Sequence, residues 1–214
     1  MTTPLVKVCG ITRSEDGACA LEAGASHLGF ILYEKSPRAL SLEQVGAVMA
    51  ALPVPVEKPV AVDVDPDPDR LAHHLSGGFA RHQIHFPFDL SRERIRKWAE
   101  IAGRENLWLA PKLPPGEVFP EDLLPLADTF LVDAFVQDAF GGTGKTSDWA
   151  GFAAWKERWP EKNWILAGGL SPDNVVAALE ATGAERLDAN SGVETAPGIK
   201  SPEKIQALFR ALDA

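Results

Sequence analysis

The chain has 214 residues, of which 45% are hydrophobic and 24% charged, and its formal net charge is -9. This length predicts one domain over residues 1–214, and the negative charge argues against nucleic acid and anionic membrane surfaces as partners. No apolar run forms a signal peptide or reaches the roughly 20 residues of a membrane span. Cys9 and Cys19 form no CxxC pair. We therefore expect a cytoplasmic protein with two reduced thiols.

Short apolar strands alternate with amphipathic helical stretches from one end of the chain to the other. Strands are predicted over 5–9, 27–32, 59–64, 81–86, 107–113, 129–134, 164–169 and 186–190, and helices over 15–24, 43–51, 67–76, 91–102, 117–127, 148–158, 173–182 and 202–212. Strict alternation predicts parallel strands with right-handed crossovers, and eight repeats predict a closed (β/α)8 barrel. An open doubly wound sheet is the alternative, although no GxGxxG motif follows the first strand.

Several helix starts carry capping signals. The segments 12–15 and 41–44 fit a capping box, and Ser171 and Ser201 are predicted N-caps because each precedes a proline. The fifth helix is the weakest of the eight predictions because it contains two prolines.

Polar residues recur at inward positions near the strand ends. In the first strand the valines should face the helices, so Lys7 and Cys9 point into the barrel, as do Asp133 and Asp188 on later strands. Barrel active sites form at the carboxyl ends of strands, which predicts that Cys9 meets a carboxylic acid across the mouth. Each residue also has a structural interpretation: Cys9 as core filling, Asp133 as a cap, and Lys7 as a charge paired with Asp188.

Glycines follow the last two barrel strands. Gly168 and Gly169 end the seventh strand, and Ser191 and Gly192 follow the eighth, before a possible short helical turn. Backbone N–H groups at such loops bind phosphate, although the glycines could also serve only as tight turns. A further glycine segment, 140–149, lacks the P-loop spacing, and we interpret it as a loop that covers the substrate.

Six motifs follow one another in order over nearly the whole chain: KVCGITRSEDG, GFILYEKSPRALS, LVDAF, GGTGKTSDW, LAGGLSPDNV and LDANSGVETAPGIK. In this order they resemble the phosphoribosylanthranilate isomerase family of tryptophan biosynthesis. The resemblance implies a (β/α)8 barrel enzyme that converts N-(5-phosphoribosyl)anthranilate into 1-(2-carboxyphenylamino)-1-deoxyribulose 5-phosphate by an Amadori rearrangement. It implies a small phosphosugar substrate and neither a metal nor an organic cofactor, and we expect a monomer or a homodimer.

The resemblance also implies individual roles. Cys9 corresponds to the general base and Asp133 to the general acid. Substrate-binding roles are implied for Arg38, His85 and Asp188, with Arg38 at the anthranilate end, and phosphate-binding roles for Gly168, Gly169, Ser191 and Gly192. Burial and like charge should raise the pKa of Asp133, so that it can donate a proton, and Lys7 should lower the pKa of Cys9.

The third and fourth strands depart from the family pattern. Phe86 and Pro87 stand where the family has a glycine and an acid, and the run VDVDPDPD replaces a Phe-Val-Asn-like segment. Two alternatives therefore remain open. One is another phosphosugar barrel enzyme, such as a metal-dependent epimerase with Asp63, Asp65, His85 and Asp133 as ligands. The other is a non-enzymatic barrel that serves as a phosphate-ligand binding or assembly protein.

Overall fold

The computed structural model describes residues 3–53, 59–114, 116–133 and 148–213 of the chain. Eight parallel strands form a closed barrel in chain order, because the first strand also pairs with the eighth. The strands are β1 (Leu5–Val8), β2 (His27–Ile31), β3 (Pro59–Val64), β4 (Arg81–Pro87), β5 (Leu107–Lys112), β6 (Thr129–Val132), β7 (Asn163–Leu166) and β8 (Arg186–Ala189). The prediction of a (β/α)8 barrel is confirmed.

Seven α-helices lie in the described residues, and each begins and ends within about two residues of its predicted position. They are α1 (Ser14–Glu22), α2 (Leu42–Ala50), α3 (Pro68–Leu75), α4 (Arg92–Ala102), α5 (Trp149–Arg158), α6 (Val175–Thr182) and α7 (Pro202–Leu212). None of the helices in this part of the chain is both long and apolar enough to cross a membrane.

The prediction of an α-helix over residues 117–127 is wrong. Between β5 and β6 the described chain forms only a 3-10 turn over Glu121–Leu126, which contains Pro125. Proline lacks the amide N–H that an α-helix needs and clashes with the preceding turn. The side chain of Phe119 covers the barrel here instead, packing edge-on against Phe130 and Trp164 with ring centroids 5.2 and 5.0 Å away.

Two of the four predicted helix starts are confirmed. Ser41 forms the full capping box at α2, and the Ser201 side chain accepts a hydrogen bond at the start of α7. Thr12 does not cap α1. The N-cap residue of α1 is Arg13, and its side chain makes no capping hydrogen bond. Ser171 does not cap α6 either, because that helix begins only at Val175.

The strand residues form two apolar layers. The outer layer packs against the helices and includes Val6, Val8, Phe130, Val132, Leu187 and Ala189. The inner layer fills the barrel with Cys9, Ile31, Val60, Val62, Trp108, Ala110, Leu131, Ile165 and Ala167. The predicted alternation along β1, β6 and β8 is therefore confirmed, and it directs Lys7, Cys9 and Asp188 inward.

After β8 the chain makes a 3-10 turn over Ser191–Val193, as predicted, and then an antiparallel hairpin that was not predicted from the sequence. Its strands are β9 (Glu194–Ala196) and β10 (Ile199–Lys200). Glu194 and Lys200 are both buried although each can carry a full charge. This hairpin therefore brings polar chemistry to the mouth of the barrel.

Candidate active site

An open cavity lies at the carboxyl ends of the strands, where barrel enzymes place their active sites. Every predicted site residue except Gly192 lines it: Cys9, Arg38, His85, Asp133, Gly168, Gly169, Asp188 and Ser191. These residues lie in or after six of the eight strands. Closure of the barrel therefore brings together side chains that are far apart in sequence.

Cys9 directly follows β1 and is 3% exposed. Its amide N–H donates to the carbonyl of Ala189, which holds the residue in line with the barrel although β1 ends at Val8. Next to it, Lys7 and Asp188 stand opposite each other in the register of β1 and β8. Their Nζ and Oδ2 atoms are 2.7 Å apart, so the predicted pairing of Lys7 with Asp188 is confirmed.

The charges around Cys9 correct one expectation. Burial raises the pKa of the Cys9 thiol, and the positive charge of Lys7 only partly opposes this. Lys7 lowers the Cys9 pKa as predicted, but the expected net fall is wrong, because desolvation of a thiolate outweighs one nearby cation here. Burial also works against a charged Lys7, but Asp188 and Cys9 outweigh it and raise the Lys7 pKa. Lys7 therefore remains an ammonium group beside the thiol.

His85 lies in β4 and faces the cavity as a neutral side chain. Burial, helped by the charge of Lys7, lowers its pKa to about 3. Its Nε2 atom lies 2.8 Å from Nε2 of Gln83, a contact in which the amide donates and the imidazole accepts. His85 can therefore offer a polar contact to a ligand but not a positive charge at neutral pH.

Arg38 follows β2 and lines the cavity as predicted, but one edge of its guanidinium is already occupied. Nε donates to Oε1 of Glu194 at 2.9 Å, and Nη2 donates to Oε2 at 2.7 Å. A ligand carboxylate can therefore meet only the other edge, formed by Nη1 and Nη2. Glu194 was not among the predicted site residues, and its only signal in the sequence is an acidic residue inside the motif GVETAPGIK.

Asp133 follows β6, is half-buried and lines the same cavity as Cys9. The segment 140–149 comes soon after it, and its residues up to 147 lie outside the described part of the chain. The predicted covering loop in that segment therefore stays a prediction.

The two glycine loops lie next to each other at the ends of β7 and β8. Gly168 and Gly169 have φ angles of +91° and +63°, a conformation that side chains disfavour. A Cβ atom on Gly192 would lie 2.0 Å from the carbonyl oxygen of Leu170. Gly192 therefore allows the two loops to pack together but does not line the cavity, whereas Ser191 does.

The acidic run after β3 has structural partners. Asp63 lies 2.8 Å from Nε of Arg70, and Asp65 lies 2.7 Å from Nε of Arg94. Within residues 3–53, 59–114, 116–133 and 148–213, no group of three His, Cys, Asp or Glu side chains is arranged to hold a metal ion. This geometry gives no support to the epimerase alternative.

Comparisons with known proteins agree on one family. A family model described as N-(5'phosphoribosyl)anthranilate (PRA) isomerase matches residues 6–211. The N-(5'-phosphoribosyl)anthranilate isomerase of Zymomonas mobilis subsp. mobilis is 34% identical over 209 residues, covering 96% of each chain. A phosphoribosyl anthranilate isomerase structure from Thermus thermophilus superposes with a TM-score of 0.78 at 30% identity, covering 98% of each chain. Another structure, described as this isomerase in complex with reduced 1-(o-carboxyphenylamino)-1-deoxyribulose 5-phosphate, has a TM-score of 0.77 at 28% identity and also covers 98% of each chain.

Proposed function

The chain belongs to the N-(5'-phosphoribosyl)anthranilate isomerase family, and we propose that its barrel mouth catalyses the isomerisation of that aminoaldose. The product is the aminoketose 1-(2-carboxyphenylamino)-1-deoxyribulose 5-phosphate. The observation that carries the proposal is that Cys9, Asp133 and the adjacent loops after β7 and β8 all line one cavity. A base, an acid and a phosphate site are what this rearrangement requires.

The proposed reaction has two proton transfers between the protein and one substrate molecule. Asp133 in its protonated form donates to the furanose ring oxygen, and the ring opens as the nitrogen lone pair forms a Schiff base. The Cys9 thiolate then removes the proton from the neighbouring sugar carbon, which gives an enolamine that tautomerises to the ketone. The substrate gains one proton from Asp133 and loses one to Cys9, so the product is an isomer. Loss of the proton from Cys9 to solvent and uptake of one by Asp133 restore the starting state of the enzyme.

Lys7 explains how a buried thiol can serve as the base. The thiolate is disfavoured by burial, and the ammonium of Lys7 is the cation that offsets this cost. Asp188 keeps Lys7 charged and in place through its 2.7 Å ion pair. The thiolate is thus a minor and reactive species, formed next to a positive charge.

The remaining predicted contacts fit around this centre. The loops with Gly168, Gly169 and Ser191 would bind the phosphate, and the free edge of Arg38 would bind the anthranilate carboxylate. His85 would donate or accept one neutral hydrogen bond, and Asp188 would contact the sugar. Phosphate binding by the Gly192 backbone stays part of the proposal.

We also propose that residues 1–214 form one domain, that the protein acts in the cytoplasm as a monomer or homodimer, and that it needs no metal or organic cofactor. The test is an assay of the purified full chain on freshly generated N-(5-phosphoribosyl)anthranilate, with and without a chelator. We expect conversion to the aminoketose at the same rate in both. No conversion would contradict the proposed function, and loss on chelation that a divalent metal restores would favour the epimerase-like alternative.

A further inference from the structure

Three side chains that can carry a charge meet in a buried cluster beside the cavity. Arg38, Glu194 and Lys200 are 8%, 6% and 2% exposed. Glu194 Oε1 accepts from Nε of Arg38 at 2.9 Å and from Nζ of Lys200 at 2.8 Å, and Oε2 accepts from Nη2 of Arg38 at 2.7 Å. One carboxylate thus faces two basic side chains, and only Arg38 among the three lines the cavity.

We propose that Glu194 is a positioning residue that aims Arg38 at the carboxylate of the aromatic part of the substrate; this inference rests on the proposed function. A guanidinium is planar and has five N–H groups. Glu194 takes the Nε–Nη2 edge, so the Nη1–Nη2 edge is the one left to form a second bidentate pair. The plane that Glu194 sets is therefore the plane in which Arg38 meets a ligand.

The stem of Arg38 is confined as well as its head. A Cβ atom on Gly10, the residue after Cys9, would lie 2.7 Å from Cδ of Arg38 and 2.7 Å from Oδ1 of Asn190. The Arg38 side chain therefore passes directly over the turn that follows the proposed base. With the stem packed and one edge held, the guanidinium has little freedom to rotate.

Lys200 connects Glu194 to Asn190 in the wall of the cavity. Its Nζ donates to Oε1 of Glu194 and, at 2.9 Å, to Oδ1 of Asn190, which lines the cavity. The amide N–H of Gly198 in the hairpin turn donates to the same oxygen of Glu194 at 3.2 Å. Hydrogen bonds from Lys200 and Gly198 of the hairpin therefore fix the carboxylate of Glu194. That carboxylate in turn fixes the guanidinium of Arg38.

The pKa directions agree with a charged pair. Burial alone would raise the pKa of Glu194, but the hydrogen bonds from Arg38 and the charge of Lys200 outweigh it and lower the pKa. The hydrogen bond to Glu194 raises the pKa of Arg38 despite burial. Glu194 is thus a carboxylate at neutral pH, as the bidentate contact requires.

The experiment compares two substrates in Glu194→Gln, which keeps the size of the side chain and removes its charge. One substrate is N-(5-phosphoribosyl)anthranilate, and the other is its aniline analogue, which lacks the carboxylate. We expect the KM for the first to rise about tenfold with kcat within about threefold, and both constants for the second to stay within about threefold. Glu180→Gln on the exposed side of α6 is the matched control and should change neither.

Two further variants keep the test decisive. If Glu194→Gln does not fold, Glu194→Asp replaces it, because aspartate retains the charge and is shorter by one methylene. This variant should raise the KM for N-(5-phosphoribosyl)anthranilate and leave that for the aniline analogue within about threefold. Arg38→Lys should raise the KM for the carboxylated substrate, and adding Glu194→Asp to it should cause little further change, because both act on one contact. An equal loss on both substrates would show a purely structural role for Glu194 and overturn the proposal.

The failures can be told apart. If Arg38→Lys selectively raises the KM for the carboxylated substrate and the Glu194 variants do not, the positioning role is overturned while the Arg38 contact stands. If Arg38→Lys changes neither substrate, Arg38 does not bind the carboxylate, and both the contact and the positioning role are overturned.

Discussion

Two parts of the barrel mouth carry carboxylates that are neutralised by different kinds of cation. On the β1–β8 side, defined by Lys7, Cys9 and Asp188, the cation is Lys7, which comes from the barrel interior and is 2% exposed. On the β3–β4 rim, defined by Asp63, Asp65 and their partners, the cations are Arg70 of α3 and Arg94 of α4. Their side chains are 30% and 34% exposed.

The origin of the cation decides what each carboxylate can still do. Oδ1 of Asp63 accepts from the amide of Val64 and from Nη2 of Arg70, and its other oxygen faces Nε of Arg70. Oδ1 of Asp188 is buried and accepts no hydrogen bond from the described residues, although Asp188 lines the cavity. Buried polar atoms are costly when unpaired. Asp63 also lines the cavity, and its Oδ2 likewise accepts no hydrogen bond from the described residues, but it lies 2.8 Å from Nε of Arg70 as an ion pair. Each oxygen of Asp63 therefore lies next to Arg70, whereas Oδ1 of Asp188 is left for a ligand.

The largest effect that this comparison predicts is at Cys9. Cys9→Ala should lower kcat by about 10² to 10⁴, because it removes the proposed base from the β1–β8 side. Folding should be retained, since alanine fits the site and no disulfide is lost. Steady-state turnover at saturating substrate, with circular dichroism as a check on folding, measures the effect.

Cys19→Ala is the matched control for Cys9→Ala. Cys19 lies on α1 away from the cavity and is partly buried against the outer core. Its loss should affect stability and leave turnover unchanged. Near-normal turnover in Cys9→Ala would remove Cys9 from the mechanism, and lost turnover in folded Cys19→Ala would point to the other thiol.

A second prediction tests whether Cys9 can catalyse the reaction without the proposed acid Asp133, which follows β6. Asp133→Asn keeps the shape of the side chain but supplies no proton, so kcat should fall by about 10² or more with little change in KM. Because Asp133 must be protonated and Cys9 deprotonated, the parent should show a bell-shaped pH profile. A loss within about threefold for Asp133→Asn would mean that the ring opens without this acid.

Substitution of Asp188 and of Asp63 tests whether the β1–β8 side and the β3–β4 rim differ in their contribution to the reaction. Asp188→Asn should lower kcat/KM by about tenfold or more, because it removes the partner of Lys7 and a free oxygen in the cavity. Asp63→Asn should stay within about threefold, because its oxygens already serve Arg70 and the backbone. Equal losses in the two variants, measured with protein of equal folded fraction, would show that the rim also takes part in the reaction.

The smallest predicted effect concerns stability and comes from His82, the second residue of β4, which does not line the cavity. Burial lowers the pKa of His82 on β4 to about 4. The unfolded chain binds the proton near pH 6.5 and the folded chain does not, so stability falls as pH drops from about 6.5 to about 4. Between pH 7 and pH 5, the free energy of unfolding should therefore fall by about 1–2 kcal/mol less in His82→Phe than in the parent. Urea unfolding at pH 7 and pH 5 measures it.

His73→Phe is the control for His82→Phe, because His73 lies on the exposed side of α3. It should leave the difference in stability between pH 7 and pH 5 unchanged. A difference that is the same in His82→Phe as in the parent would show that His82 takes up a proton in the folded protein.

Local patterns account for the part of the structure that the sequence predicted. Alternation of apolar and polar residues depends on neighbours two positions away, so it correctly placed Lys7, Cys9 and Asp188 inside the barrel. The capping box at Ser41 and the N-cap at Ser201 also involve only the next few residues. The resemblance to a known family led to the correct fold and family because its motifs span nearly the whole chain.

Contacts between residues distant in sequence account for the rest, which only the tertiary structure decided. Glu194 meets Arg38 across 156 positions, and no local pattern marks that pair. Burial, which depends on the whole fold, reversed the predicted direction of the Cys9 pKa. The sequence by itself therefore determined that Lys7, Cys9 and Asp188 point into the barrel. Closure of the barrel and docking of the hairpin decided which of them are paired, desolvated or left free for a ligand, because pairing and desolvation depend on atoms that approach each other only in the folded chain.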